Sequence, residues 1–65
     1  MKLSVNGEAR ELGARTLEDA VRLLGLEGKP IAVERNRAVV PKAKYRETEL
    51  REGDLLEIVQ FVGGG

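Results

Sequence analysis

The run Leu55-Leu56-Glu57-Ile58-Val59-Gln60-Phe61-Val62 is the most apolar stretch of the chain. An apolar run of this length, bounded by turn residues, suits a strand with neighbours on both sides. Side-chain alternation divides it. Leu55, Glu57, Val59 and Phe61 point one way, and Leu56, Ile58, Gln60 and Val62 the other. Glu57 marks its set as the face turned away from any covering helix. The turn Glu52-Gly53-Asp54 precedes the run, and Gly63-Gly64-Gly65 follows it. A fold for this chain must therefore be built around its last strand.

Helical periodicity occurs at one place. Leu17, Ala20, Val21 and Leu24 recur at i, i+3, i+4 and i+7, which predicts one buried stripe, with Leu23 widening it. Thr16 is placed to cap the first turn, and Asp19 stands where a capping-box acid would. Glu18 and Asp19 suit the positive end of the helix dipole. Gly25 is a natural stop, with Leu26 placed to fold back on the last turn.

The other segments read as strands and turns. Leu3 and Val5 alternate with Lys2, Ser4 and Asn6, the period of a half-buried strand. Asn6-Gly7 predicts a type I′ hairpin turn, because both central positions need positive φ. Glu8 to Leu12 then returns as an edge strand, protected by Arg10 and Glu11. Ile31-Ala32-Val33 begins a further strand, Arg35-Asn36-Arg37 turns it, and Ala38 to Val40 comes back until Pro41 ends ladder pairing. Lys42 to Leu50 has no clean period. A short helical turn is expected there, with Tyr45 and Leu50 as anchors to the core.

One helix must then cover one face of the sheet. The order predicts an α+β fold, the ubiquitin-like β-grasp. It has a mixed four- or five-stranded sheet, one main helix packed on one face, and the last strand central and parallel to the first. Residues 1–62 form the single expected domain, and 63–65 a flexible glycine tail.

Composition narrows the function. The chain has 65 residues with no Cys and no His. That removes a thiol nucleophile, the usual zinc ligands and the commonest general base, so no catalytic side chain and no metal site are expected. Lys+Arg and Asp+Glu both count 11, which gives no bias toward nucleic acid. No apolar stretch approaches the roughly 20 residues needed to span a bilayer. The expected setting is cytoplasmic.

Three segments carry a resemblance. They are Ala32-Val33-Glu34-Arg35-Asn36-Arg37-Ala38-Val39-Val40-Pro41-Lys42, Leu50-Arg51-Glu52-Gly53-Asp54, and the Gly64-Gly65 end. In this order they resemble the ThiS family, the sulfur carriers of thiamine biosynthesis. Gly63 departs from the pattern by making three glycines where the family motif needs two. The resemblance implies a carrier rather than an enzyme. A ThiF-like activating enzyme would use ATP to convert the Gly65 carboxylate to an acyl-adenylate. Sulfur from a persulfide donor protein would then give a thiocarboxylate. A ThiG-like thiazole synthase would take that sulfur. The carrier itself would hold no cofactor.

Physical chemistry gives the tail its expected parts. A terminal carboxylate is ionised at neutral pH and is a poor electrophile until activated. Gly65 would carry the reacting carbon. Gly63 and Gly64, lacking Cβ, would keep the approach slim enough to enter a narrow channel. The bland alternative is a frayed terminus.

Two surfaces offer further readings. Val59 and Phe61 would form an exposed apolar patch beside the tail, a docking surface for the activating enzyme, unless loop residues such as Tyr45 cover them. Arg35, Arg37, Lys42, Lys44 and Arg46 could steer an acidic partner. The plainer reading is a solvated charged face, and the nearby Glu47, Glu49, Glu52 and Asp54 argue against an anion site.

Other functions share the fold. Carriers for molybdopterin synthesis tend to carry a proline before the glycines, which Gln60-Phe61-Val62 lacks. Carriers for tRNA thiolation are harder to separate. A ubiquitin-like conjugation module would join the tail to a lysine, and a plain structural domain remains as well.

Overall fold

The structure, a computed structural model, describes residues 1–62. The tail expected at Gly63, Gly64 and Gly65 lies outside the described residues. The elements are β1 (Lys2–Val5), β2 (Glu8–Glu11), α1 (Leu17–Leu23), β3 (Ile31–Arg35), β4 (Ala38–Val40), a 3-10 helix (Lys42–Glu47) and β5 (Leu55–Gln60). They form a five-stranded sheet in the order β2-β1-β5-β3-β4. β5 is central, parallel to β1 and antiparallel to β3. This is the expected β-grasp arrangement.

Local chemistry makes the elements. Asn6 and Gly7 take φ of 51° and 83°, the positive values that a type I′ turn requires. β2 pairs only with β1 and is exposed throughout. The Thr16 hydroxyl accepts from the Asp19 N–H, and the Asp19 carboxylate accepts from the Thr16 N–H, which completes the capping box. At the other end the Leu26 N–H donates to the Val21 carbonyl and the Gly25 N–H to that of Arg22. With Gly25 at φ 75°, this is a Schellman stop.

The core lies between α1 and one face of the sheet. Leu3, Leu17, Leu56 and Val33 are its most enclosed large side chains. Tyr45 and Leu50 are buried as expected and bring the irregular crossover onto the core. The crossover is clipped to the helix start: the Leu17 N–H donates to the Thr48 carbonyl and the Leu50 N–H to that of Arg15, both at 2.9 Å.

Two expectations need correction. Leu23 does not widen the buried stripe; it is 50% exposed. At about 100° per residue it sits roughly 110° from the centre of the Leu17–Ala20–Val21–Leu24 stripe. The strand ends at Gln60, so Phe61 and Val62 lie beyond it. Gln60 and Val62, expected on the inward set, are exposed. The seven residues of α1 cover only about 10 Å at 1.5 Å each. An eight-residue strand would run more than about 25 Å. The end of the last run therefore projects past the helix that would cover it.

Candidate functional site

Among the described residues no element packs over the face of the sheet opposite α1. Register fixes what it carries. Across β3 and β5, Ala32 stands opposite Val59 and Glu34 opposite Glu57. Across β3 and β4, Val39 stands opposite Glu34. Val59 is 58% exposed, Phe61 55% and Val39 70%. Tyr45 is buried in the core on the helix side and does not cover them. Val59 and Phe61 are thus both exposed, Val59 within the C-terminal part of the central strand and Phe61 just past its end. The Phe61 N–H donates to the Pro30 carbonyl at 2.9 Å, which ties the chain to the loop before β3 after regular pairing ends.

The turn before β5 holds a buried acid. Asp54 is buried, 6% exposed, and makes three contacts. Its carboxylate accepts from Arg35 Nε at 2.9 Å, Asn36 Nδ2 at 3.0 Å and the Arg51 N–H at 2.8 Å. Burial pushes the carboxyl up. The hydrogen bonds from Asn36, Arg51 and Arg35, with the Arg35 charge, outweigh it and hold the group below the usual carboxylate range. Asn36 also fastens β5 directly: its Oδ1 accepts from the Leu55 N–H at 2.9 Å, and its own N–H donates to the Leu55 carbonyl at 2.7 Å.

The basic cluster is correspondingly dispersed. Arg35 belongs to this buried clasp, and Lys44 pairs with Glu47 at 3.3 Å on the exposed 3-10 helix. Lys42 and Arg46 are solvated there. The sequence reading missed the clasp because the residues that meet at Asp54 come from two separate turns. The sequence signal that could have found it was Asn36, at the head of a tight turn beside β5.

The opposite side of the sheet carries a shallow groove. It has about 340 Å³, between Leu24 and Leu26 at the helix end and Asn6 and Arg10 of the first hairpin. Among the described residues no group of three His, Cys, Asp or Glu side chains is placed to hold a metal ion. Also among them, no helix is long and apolar enough to cross a membrane.

The ThiS family matches residues 3–65. The chain belongs to the ThiS family. It is 46% identical over 50 residues to the sulfur carrier protein ThiS of Bacillus subtilis, covering 77% of this chain and 76% of that protein. The crystal structure of a ThiS thiamine biosynthesis protein from Geobacter metallireducens superposes with a TM-score of 0.82 at 29% identity, over the whole of both chains. The chain is also 47% identical, over its full length, to part of a thiazole synthase from Paramagnetospirillum magneticum. It spans only 20% of that protein, and the same share of a second thiazole synthase, from Magnetococcus marinus. ThiS-family sequence is therefore found within thiazole synthases as well as in small carriers.

Proposed function

We propose that this chain is a sulfur carrier for thiazole formation in thiamine biosynthesis. The observation that carries the reading is membership of the ThiS family together with the uncovered Val59–Phe61 patch directly before Gly63-Gly64-Gly65. The Gly65 carboxylate is the working group. It attacks the α-phosphate of ATP on a ThiF-like activating enzyme, pyrophosphate leaves, and an acyl-adenylate forms. The terminal sulfur of a donor protein's persulfide attacks that carbonyl and AMP leaves. A thiol then cuts the S–S bond of the acyl disulfide, takes the other sulfur as a disulfide, and leaves the thiocarboxylate on Gly65.

A ThiG-like thiazole synthase receives the sulfur. The likeness of the whole chain to part of two thiazole synthases supports that partner. The carrier's own side chains take no chemical part. It supplies a docking face and a slim approach, around which the enzyme places its hydrogen-bond donors. ATP is bound by the activating enzyme, and the setting is cytoplasmic.

Intact-mass measurement of the native protein tests the reading. After incubation with ATP, activating enzyme and a persulfide donor, one terminal oxygen is replaced by sulfur, a gain of about 16 Da by atomic mass, and thiazole synthase with its substrates consumes the thiocarboxylate and returns the original mass. A stable isopeptide adduct on a second protein, with no thiocarboxylate, overturns it in favour of a conjugation module.

A further inference from the structure

Glu34 and Glu57 face each other across β3 and β5 on the uncovered side of the sheet. Glu57 is exposed and Glu34 half-buried. Among the described residues neither has an ion-pair partner, whereas Asp54, Asp19 and Glu47 each have one. Directly opposed side chains on an antiparallel pair have Cβ atoms about 4.5–5.5 Å apart, and like charges there destabilise the sheet. The neighbours on the same face are apolar: Val39 beside Glu34, and Val59 and Ala32 next along the strands. The free domain thus carries two directly opposed carboxylates beside the exposed Val39 and Val59.

We infer that this face receives a basic side chain of the activating enzyme, an arginine or lysine lodged over Glu34 and Glu57, with Val39 and Val59 packed around it. The inference rests on the carrier reading and specifies the chemistry of its docking partner. A single cation placed over both carboxylates removes their repulsion and gains two charge-assisted contacts. The apolar rim shields those contacts from water, which strengthens them. A second copy of this chain fits poorly, since a two-fold contact through this face would bring four carboxylates together. Nucleic acid and anionic membrane surfaces are disfavoured by the same charge.

The test uses the chain with a purified ThiF-type adenylating enzyme. Binding is measured by calorimetry at low and high salt, and the melting temperature is measured for the carrier alone. Removing the repulsion in Glu34→Gln/Glu57→Gln raises the melting temperature by about 1–6 °C. The same variant binds the enzyme about tenfold more weakly at low salt, and the difference shrinks at high salt. Glu27→Gln, an exposed carboxylate in the loop after the helix, changes neither quantity. A double variant that melts higher but binds as tightly as the wild type, while the wild type is adenylated, overturns this inference alone. A salt-independent loss of binding, or a wild-type dimer dissociated by Val59→Asp, also overturns it. A wild-type chain that is not adenylated at all overturns the carrier reading and this inference with it.

Discussion

The side-chain amide of Asn6 holds both backbone groups of Ile58: Oδ1 accepts from the Ile58 N–H at 2.7 Å, and Nδ2 donates to the Ile58 carbonyl at 3.1 Å. β1 ends at Val5, and the chain turns away at Gly7. Without the amide, Ile58 would lose its partners on the β1 side in the middle of the central strand. The side chain stands in for the next residues of β1 and prolongs the parallel ladder by one step. Asn6→Gly keeps the positive φ available but removes both bonds. At about 1 kcal/mol for each hydrogen bond, it destabilises the domain by about 2 kcal/mol, read by urea unfolding. Amide exchange at Ile58 accelerates more than at Leu3. Equal protection of Ile58 in both proteins would show that β5 does not depend on Asn6.

Asp54 gives the fold part of its acid sensitivity. Its native carboxyl titrates below the unfolded value of about 3.9. Between those two values the unfolded chain binds more protons. The stabilisation is therefore complete above the unfolded value and is lost as pH falls through the native one. Asp54→Asn flattens the stability profile below about pH 4. Some slope remains, because Asp19 is also held low, by the N–H groups of Arg15 and Thr16. Asp54→Ala costs about 2–4 kcal/mol at neutral pH, since it leaves the Arg51 N–H and the Arg35 charge without their partner. Unfolding curves at several pH values decide this; an unchanged acid slope in Asp54→Asn would remove the clasp as its cause.

Arg37 sits at φ 73° in the turn between β3 and β4, beside Asn36 at 50°. A left-handed conformation costs a non-glycine residue about 1–2 kcal/mol, and glycine's extra unfolded-state entropy returns part of that. Arg37→Gly therefore stabilises the domain by about 0.5–1 kcal/mol. A loss of stability would mean that the exposed Arg37 side chain makes contacts that outweigh its backbone strain.

Phe61 and Val59 are more than half exposed. Phe61→Ala therefore costs well under the ~3–5 kcal/mol of a core phenylalanine. As an apolar anchor of a docked partner it contributes ~2 kcal/mol or more to binding. Melting temperature and affinity for the activating enzyme, measured on Phe61→Ala and Val59→Asp, should separate clearly. A large fall in melting temperature with unchanged affinity would leave the docking surface elsewhere.

Gly64→Trp abolishes ATP-dependent adenylation. The buried core of the described residues ends at Ile58, so unfolding free energy moves by no more than about 0.5 kcal/mol. Pyrophosphate release in the presence of the activating enzyme reads the effect. Normal release from Gly64→Trp would refute the need for a slim approach.

The sequence by itself determined the elements, because their causes are local. Asn6-Gly7 specifies its turn by backbone angles, Thr16 and Asp19 cap each other within one helical turn, and Gly25 with Leu26 ends the helix. The alternation of Leu55 to Val59 assigned Leu56 and Ile58 to the core and Val59 to the open face. Only the tertiary structure decided which polar groups meet. Asp54 reads as one more acid in an acidic stretch until the turn after β3 brings Arg35 and Asn36 to it. Glu34 and Glu57 become a pair only through the register of β3 on β5. Likewise Gln60 and Val62 are exposed because of where a short helix ends over a longer strand. Hydrophobic pattern and capping act over a few residues and can be read along the chain. Register, the reach of one element over another, and the pairing of charges depend on contacts between distant segments, which exist only once the chain has folded.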